Sequence, residues 1–265
     1  MSVSETPEFL KRFAIKTATA GGQATLRWFR QAVVVHNKEA DGSFDPVTAA
    51  DRACERLIRS RIRAQYPNHA IRGEEFGDEG LHEWTWIVDP IDGTRAFMSG
   101  FLHWGVLLGL LRNGEPYLGV MVQPFTGEIF VGDGSSATYL RHGESRTLST
   151  RKSAVLADAL FATTDPRLFA TLHDQSLLQR IEARVRLTRY GCDCYQYALV
   201  ALGELDLVVE NQLKPWDILP LVPIVRGAGG VVTNWQGLAD LTSGEAIAAA
   251  NPILHEQVLA TISNS

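Results

Sequence analysis

Trp84-Thr85-Trp86-Ile87-Val88-Asp89-Pro90-Ile91-Asp92-Gly93-Thr94 is the stretch on which the reading of this chain turns. Trp84, Trp86, Ile87 and Val88 form a short apolar, β-rich run, and Asp89-Pro90 reads as the turn at which the strand stops. Two acids three residues apart thus stand just beyond a buried strand, which is a rigid platform. Pro90 fixes φ in the turn, so the side chains of Asp89 and Asp92 and the carbonyl of Ile91 can converge on a hard cation that takes oxygen ligands. Gly93 and Thr94 are expected to open a helix, whose first N–H groups and positive end make an anion site beside the cation. The bland reading is that both acids are ordinary turn residues, because Asp favours turns.

Three further stretches bear on that choice. Gly73-Glu74-Glu75 lies just upstream of the strand, Thr48-Ala49-Ala50-Asp51 has the form of a capping box at a helix start, and Trp216-Asp217 opens a later helix. Each has a local explanation. Asp51 can be a cap residue, Asp217 an acid set against a helix dipole, and Glu74 and Glu75 solvated charges. All of them together, in one chain and in this order, form a less economical coincidence than one carboxylate site.

Outward from this stretch the chain alternates in type. A helix is predicted from Pro7 to Arg30, with Leu10, Phe13, Ala14, Thr17, Ala18, Leu26 and Phe29 on its apolar stripe, and a second from Thr48 to Ala64. Between them lies the polar stretch His36 to Asp45. The runs Trp104–Leu111 and Tyr117–Val122 flank Asn113-Gly114, a strong hairpin signal, and Ile129–Gly132 and Ala137–Leu140 continue an antiparallel meander. The polar stretch after Arg141 reads as a domain boundary. It separates an α+β domain of residues 1–141, with most of the candidate ligands, from an α/β domain of residues 142–265. In the second half, strands at Leu160–Thr163, Val185–Leu187, Leu205–Glu210, Val231–Thr233 and Ala246–Ala250 alternate with helices. Those helices are placed at Leu168–Leu178, Asp193–Leu202, Trp216–Arg226 and Pro252–Ile262, a pattern of α/β layering.

Bulk properties exclude several classes of function. The 265 residues are 45% hydrophobic and 21% charged, as in ordinary globular proteins, with no apolar run near the ~20 residues that span a bilayer. Neither a membrane role nor a secretory leader is expected, which makes the cytoplasm the default. A net charge of −5 argues against a nucleic-acid partner. The Arg-rich stretch Arg52–Arg63 reads as the solvated side of the second helix. Three cysteines, Cys54, Cys192 and Cys194, are too few and too oddly spaced for a disulfide framework or a zinc site. Gly227-Ala228-Gly229-Gly230 follows a helix rather than a strand, the wrong context for a dinucleotide fingerprint.

Taken jointly, Gly73-Glu74-Glu75, Asp89-Pro90-Ile91-Asp92-Gly93-Thr94 and Trp216-Asp217 resemble the signatures of the inositol monophosphatase superfamily, over roughly Leu10 to Leu259. Gly93-Thr94-Arg95-Ala96-Phe97, Gln123 to Glu128, Arg189 to Tyr195 and Leu213 to Asp217 look most like its histidinol-phosphate phosphatase branch. The resemblance implies an α/β (α+β) fold, the layered α/β/α/β/α sandwich of that superfamily, assembled as a homodimer. It also implies a hydrolase that uses two or three Mg2+ ions on a small-molecule phosphate ester.

By that resemblance Glu74, Asp89, the Ile91 carbonyl, Asp92 and Asp217 bind magnesium, and Glu74 also serves the catalytic step. Asp51 and Thr94 orient and deprotonate the attacking water, and the N–H groups of Gly93 and Thr94 receive phosphate. Glu210, Asp193, Arg189 and Arg95 would line the pocket for the alcohol portion of the ester. The ammonium and imidazole of histidinol phosphate, a histidine-biosynthesis substrate, suit the two acids. Asp193 as a helix cap and Arg189 as its ion-pair partner remain the plain alternatives. An inositol or other polyol monophosphatase differs only in that pocket, and a non-catalytic binding or regulatory protein of the same fold is the third reading.

Overall fold

The computed structural model describes residues 6–30, 35–37 and 46–263. The expected polar stretch His36 to Asp45 falls largely outside the described residues. In chain order the helices are α1 (Pro7–Thr25), α2 (Ala49–Gln65), α3 (Thr94–Met98), α4 (Leu172–Glu182), α5 (Asp193–Leu202), α6 (Pro215–Ile218), α7 (Val222–Gly227) and α8 (Pro252–Ser263). The short strands β1 (Val35–Asn37) and β2 (Pro46–Thr48) pair with each other. The first large sheet holds β3 (Ala70–Gly73), β4 (Gly77–Glu79), β5 (Trp84–Asp92), β6 (Gly105–Arg112), β7 (Glu115–Gln123), β8 (Glu128–Gly132), β9 (Ala137–Arg141) and β10 (Glu144–Thr147). The second holds β11 (Leu160–Thr163), β12 (Leu187–Tyr190), β13 (Leu207–Glu210), β14 (Val231–Thr233) and β15 (Ala246–Ala249).

The central strands of both large sheets are buried on both faces, and the period of two decides which residue goes to which layer. In β6, Val106, Leu108 and Leu110 pack with Leu10, Ala14, Ile58 and Ile62 of α1 and α2, whereas Leu107 faces the other way. That opposite face meets Tyr197, Val200, Val222 and Val225 of α5 and α7, which also touch Val208 and Ala248 of the second sheet. Beyond it, Val209 and Ile247 face Leu177 and Ile181 of α4 and Leu254 and Val258 of α8. The order is α1 and α2, sheet, α5 to α7, sheet, α4 and α8. It is the five-layered sandwich implied by the resemblance. Among the described residues no helix is long and apolar enough to cross a membrane.

The strand orders are β10-β9-β8-β7-β6-β5-β3-β4 and β12-β11-β13-β15-β14. The meander from β5 to β10 is antiparallel, while β3 pairs with β5 in parallel. The hairpin turns at Asn113 and Gly114, which both take positive φ (52° and 86°), as a tight mirror-image turn demands.

Several boundaries differ from expectation for identifiable reasons. The strand does not stop at Asp89-Pro90 but runs on to Asp92. Asp89 faces Leu107 and Asp92 faces Gly105, so three residues on β5 span two on β6. This is a bulge, the place in a sheet where proline's missing donor is tolerated. The first helix ends at Thr25, not Arg30. The helix expected at Leu168 starts at Leu172, because Thr171 and Asp174 form a capping box there, and the strand expected at Val185 pairs from Leu187 to Tyr190 instead. The helix expected from Trp216 to Arg226 is two helices. Pro220 ends the first by removing a donor, and Pro223 sits in the first turn of the second, where proline is accepted. β10, unforeseen, adds an edge strand to the first sheet.

Candidate active site

β5 delivers the first two carboxylates. Asp89 is buried (2% exposed), and one oxygen accepts the N–H of Ile91 at 3.1 Å across the bulge. The bulge turns both Asp89 and Asp92 to one side, and Asp217 of α6 reaches them from the second half of the chain. A carboxylate oxygen from each of the three lies within 4.8 Å of the others. Asp217 also accepts the Lys214 N–H at 2.8 Å, so it caps its own helix while standing in the cluster.

Glu74 arrives by strand pairing. Gly73 lies opposite Val88 in the parallel β3–β5 register, and the next residue's N–H donates to the Val88 carbonyl at 3.3 Å. Asp51 comes from the first turn of α2, where it is buried. Both stand near enough to Asp89 to act on its charge.

The electrostatics of the group are one-sided. Burial pushes the Asp89 carboxyl well above the usual range, and Glu74, Asp92, Asp217 and Asp51 add to the effect. Burial does the same to Asp92, reinforced by Asp193 and Asp217. Asp217 is pushed up to about 7, by burial first, although the Lys214 N–H opposes the rise. Such a set of hard oxygen donors, massed against one another, fits a divalent cation such as Mg2+, which would relieve the repulsion.

Gly93 and Thr94 follow directly. Gly93 has φ 82°, and a Cβ there would come to 2.6 Å from the His103 carbonyl oxygen, so conformation and space both require glycine. Thr94 then opens α3 as expected and donates its hydroxyl to the Ile91 carbonyl at 3.0 Å. That carbonyl keeps a second lone pair for another partner.

A second acidic group adjoins the first. Asp193 opens α5 in a left-handed conformation (φ 41°), and burial, with Glu210 second, pushes its carboxyl up to about 7, against the pull of Arg95. Glu210, buried at the end of β13, accepts the Thr164 N–H at 3.0 Å and the Tyr197 hydroxyl at 2.8 Å. Arg95, on α3, reaches Asp165 at 3.9 Å. Arg189 is exposed on the edge strand β12 and forms no ion pair among the described residues. The cation acting on Asp193 is Arg95, whereas Arg189 acts on the neighbouring Cys192.

Sequence reasoning passed over three residues here. Cys194, set aside above with the other cysteines, donates its backbone N–H to Asp92 at 2.5 Å, and its thiol bonds the same carboxylate. Asp165 had no signal beyond its turn. Arg59, expected on the solvated side of α2, is buried (3% exposed) against Glu55, because α2 packs beneath the β3–β4 hairpin. The i,i+4 spacing of Glu55 and Arg59 was the available sign.

Comparison with known proteins agrees with this geometry. Residues 6–265 match the inositol monophosphatase family. The chain is 38% identical over 268 residues to the chloroplastic bifunctional phosphatase IMPL2 of Arabidopsis thaliana, covering 96% of this chain and 75% of that protein. It is 33% identical to a histidinol-phosphatase of Chlorobaculum parvum, with 96% of each covered. An inositol monophosphatase from Zymomonas mobilis superposes with a TM-score of 0.85 at 36% identity, covering 99% of this chain and 100% of that one. Fold, acidic cluster and relatives lead to one conclusion: the chain belongs to the inositol monophosphatase family and is a metal-dependent phosphoric monoester hydrolase.

Proposed function

We propose that the chain hydrolyses L-histidinol phosphate to L-histidinol and phosphate, with Mg2+ held by Glu74, Asp89, the Ile91 carbonyl, Asp92 and Asp217. The observation that supports this substrate is the second acidic group. The Asp193 carboxylate acts on Asp92 on one side and is acted on by Glu210 on the other. An alcohol that enters next to the phosphate site therefore meets concentrated negative charge, which favours an ammonium or imidazolium group over a neutral polyol.

Magnesium, when bound, offsets the negative charge of the ester and makes water at that place more acidic. The protein's own residues do the rest. Thr94 Oγ, whose hydrogen is engaged by the Ile91 carbonyl, offers a lone pair to the attacking water and so aims it. Asp51 accepts the proton once the Thr94 hydroxyl turns from Ile91 towards it. The N–H groups of Gly93 and Thr94 receive phosphate oxygens, so the work is positioning and charge stabilisation, as phosphoryl transfer generally requires. Arg95 sits at the rim of the substrate pocket, and Arg189 further out on β12 contributes through long-range charge. Two or three ions, a homodimeric assembly, a cytoplasmic location and a division of the chain near Arg141 complete the reading.

A substrate panel with and without chelator tests it. A kcat/KM on histidinol phosphate far above that on inositol 1-phosphate is expected, with all activity lost on chelation. Comparable values would move the assignment to an inositol or other polyol monophosphatase; the Zymomonas mobilis protein is named an inositol monophosphatase. Release of phosphate from no small monoester would instead leave a non-catalytic member of the fold.

A further inference from the structure

Gly73 ends β3 immediately before Glu74, and its lack of a side chain answers a packing demand. A Cβ there would collide with Glu55 Oε1 and come within 3.0 Å of Arg59 Nη2. The volume a side chain would take is filled by an ion pair one turn apart on α2. Glu55 is fully buried (0%) and Arg59 nearly so (3%), with Arg59 Nε to Glu55 Oε1 at 2.8 Å.

The pair grips the turn and the second arm of the hairpin. Glu55 uses its second oxygen to accept the Glu75 N–H at 2.8 Å. Arg59 directs its remaining donors to the Gly77 carbonyl and to Glu79 at 3.2 Å. Glu74, Glu75 and Phe76 form the turn between the two arms. Glu74 is thus bracketed: its own N–H is tied to Val88 of β5, and its neighbour's N–H is tied to Glu55 of α2. The same helix carries Asp51 one turn before Glu55, so the two acids share a face.

Stability alone is a poor account of such a pair. Burying two charges costs desolvation, and apolar residues of similar volume often serve as well or better. What apolar residues cannot do is hold the backbone of a hairpin tip at a set height. We propose that Glu55 and Arg59 are positioning residues, which set the Glu74 carboxylate against Asp89 and Asp217, so that the affinity of the site for a divalent cation depends on them. This rests on the assignment of Glu74 as a metal ligand.

The test is Mn2+ binding to the chelator-stripped full chain by titration calorimetry, with melting in EDTA recorded alongside. The variants are Glu55→Gln, the double variant Glu55→Met with Arg59→Met, and Glu74→Gln as the reference for losing a ligand. The double variant should bind Mn2+ about 10- to 100-fold more weakly, the range seen for groups that orient a ligand, while melting within a few degrees of the wild type. Glu55→Gln keeps an acceptor for the Glu75 N–H and should fall between. Unweakened Mn2+ binding in the folded double variant, with Glu74→Gln weakened, overturns the positioning role, whatever happens to the melting temperature. Unweakened binding in Glu74→Gln overturns the metal reading beneath it. Should the double variant fail to fold, Glu55→Gln decides by the same comparison.

Discussion

Glu128 is a half-buried acid of the first sheet and Asp89 a fully enclosed one, and their surroundings are opposite. Glu128 accepts hydroxyls from Thr126 at 2.6 Å, Tyr195 at 2.7 Å and Tyr139 at 3.0 Å. Burial works to raise its carboxyl, yet these three bonds outweigh burial and hold it below the usual range. Asp89 has one backbone donor and otherwise faces carboxylates, and it is pushed up. A satisfied acid is a strut. An acid that the fold leaves among other acids awaits a cation, and that difference separates architecture from chemistry in this protein.

The largest effects should follow from emptying the second region. Asp89→Asn or Asp92→Asn should lower kcat/KM on the order of a thousandfold or more, since several kcal/mol of charge stabilisation are lost at about 1.4 kcal/mol per tenfold. Circular dichroism should remain that of the wild type. Near-normal turnover in either variant would break the comparison at its root.

Next come the neighbours of that region. Asp193→Asn should reduce kcat/KM on histidinol phosphate about 10- to 100-fold, the worth of one charged hydrogen bond, and affect inositol 1-phosphate far less. An equal fall on both substrates would assign Asp193 to the metal site rather than to recognition.

The chelated protein should show the unrelieved repulsion as a pH dependence. Asp193 and Asp217 stand at about 7 when folded, against an ordinary value of 3.8, so the folded state favours their protonated forms. Their contribution to stability is therefore complete below about 4 and is lost as pH rises through about 7. In EDTA the melting temperature should fall across that window, and saturating Mg2+ should restore it. A flat profile in EDTA would mean that the cluster tolerates its charge unaided.

The smallest effect belongs to the strut. Glu128→Gln should cost about 1–3 kcal/mol in urea unfolding, as expected for weakening a charged set of hydrogen bonds, with the Mg2+ dependence of activity unchanged. A shifted Mg2+ requirement would show that the two regions are coupled through Tyr195, which lies one residue beyond Cys194 on α5.

Local order was legible in the sequence. Asn113-Gly114 specified its hairpin because both residues accept positive φ, and Asp193–Leu202 was bounded as found, between Gly191 and Gly203. Less legible were the elements whose limits depend on partners. β5 continues past Pro90 only because Gly105 is there to receive Asp92, and β10 exists only because β9 offers it an edge.

By itself the sequence determined which residues are acids, where strands and helices alternate, and that Asp89 and Asp92 leave one strand end together. The Trp216-Asp217 motif already implied, by resemblance, that Asp217 would join them; tertiary structure alone decided that Cys194 would bond Asp92 and that Glu55 and Arg59 would be buried rather than solvated. The reason is one of range. Periodicity and turn chemistry act over a few neighbouring residues, whereas the charge felt by a carboxylate is set by whatever packing brings within a few ångströms, from any distance along the chain.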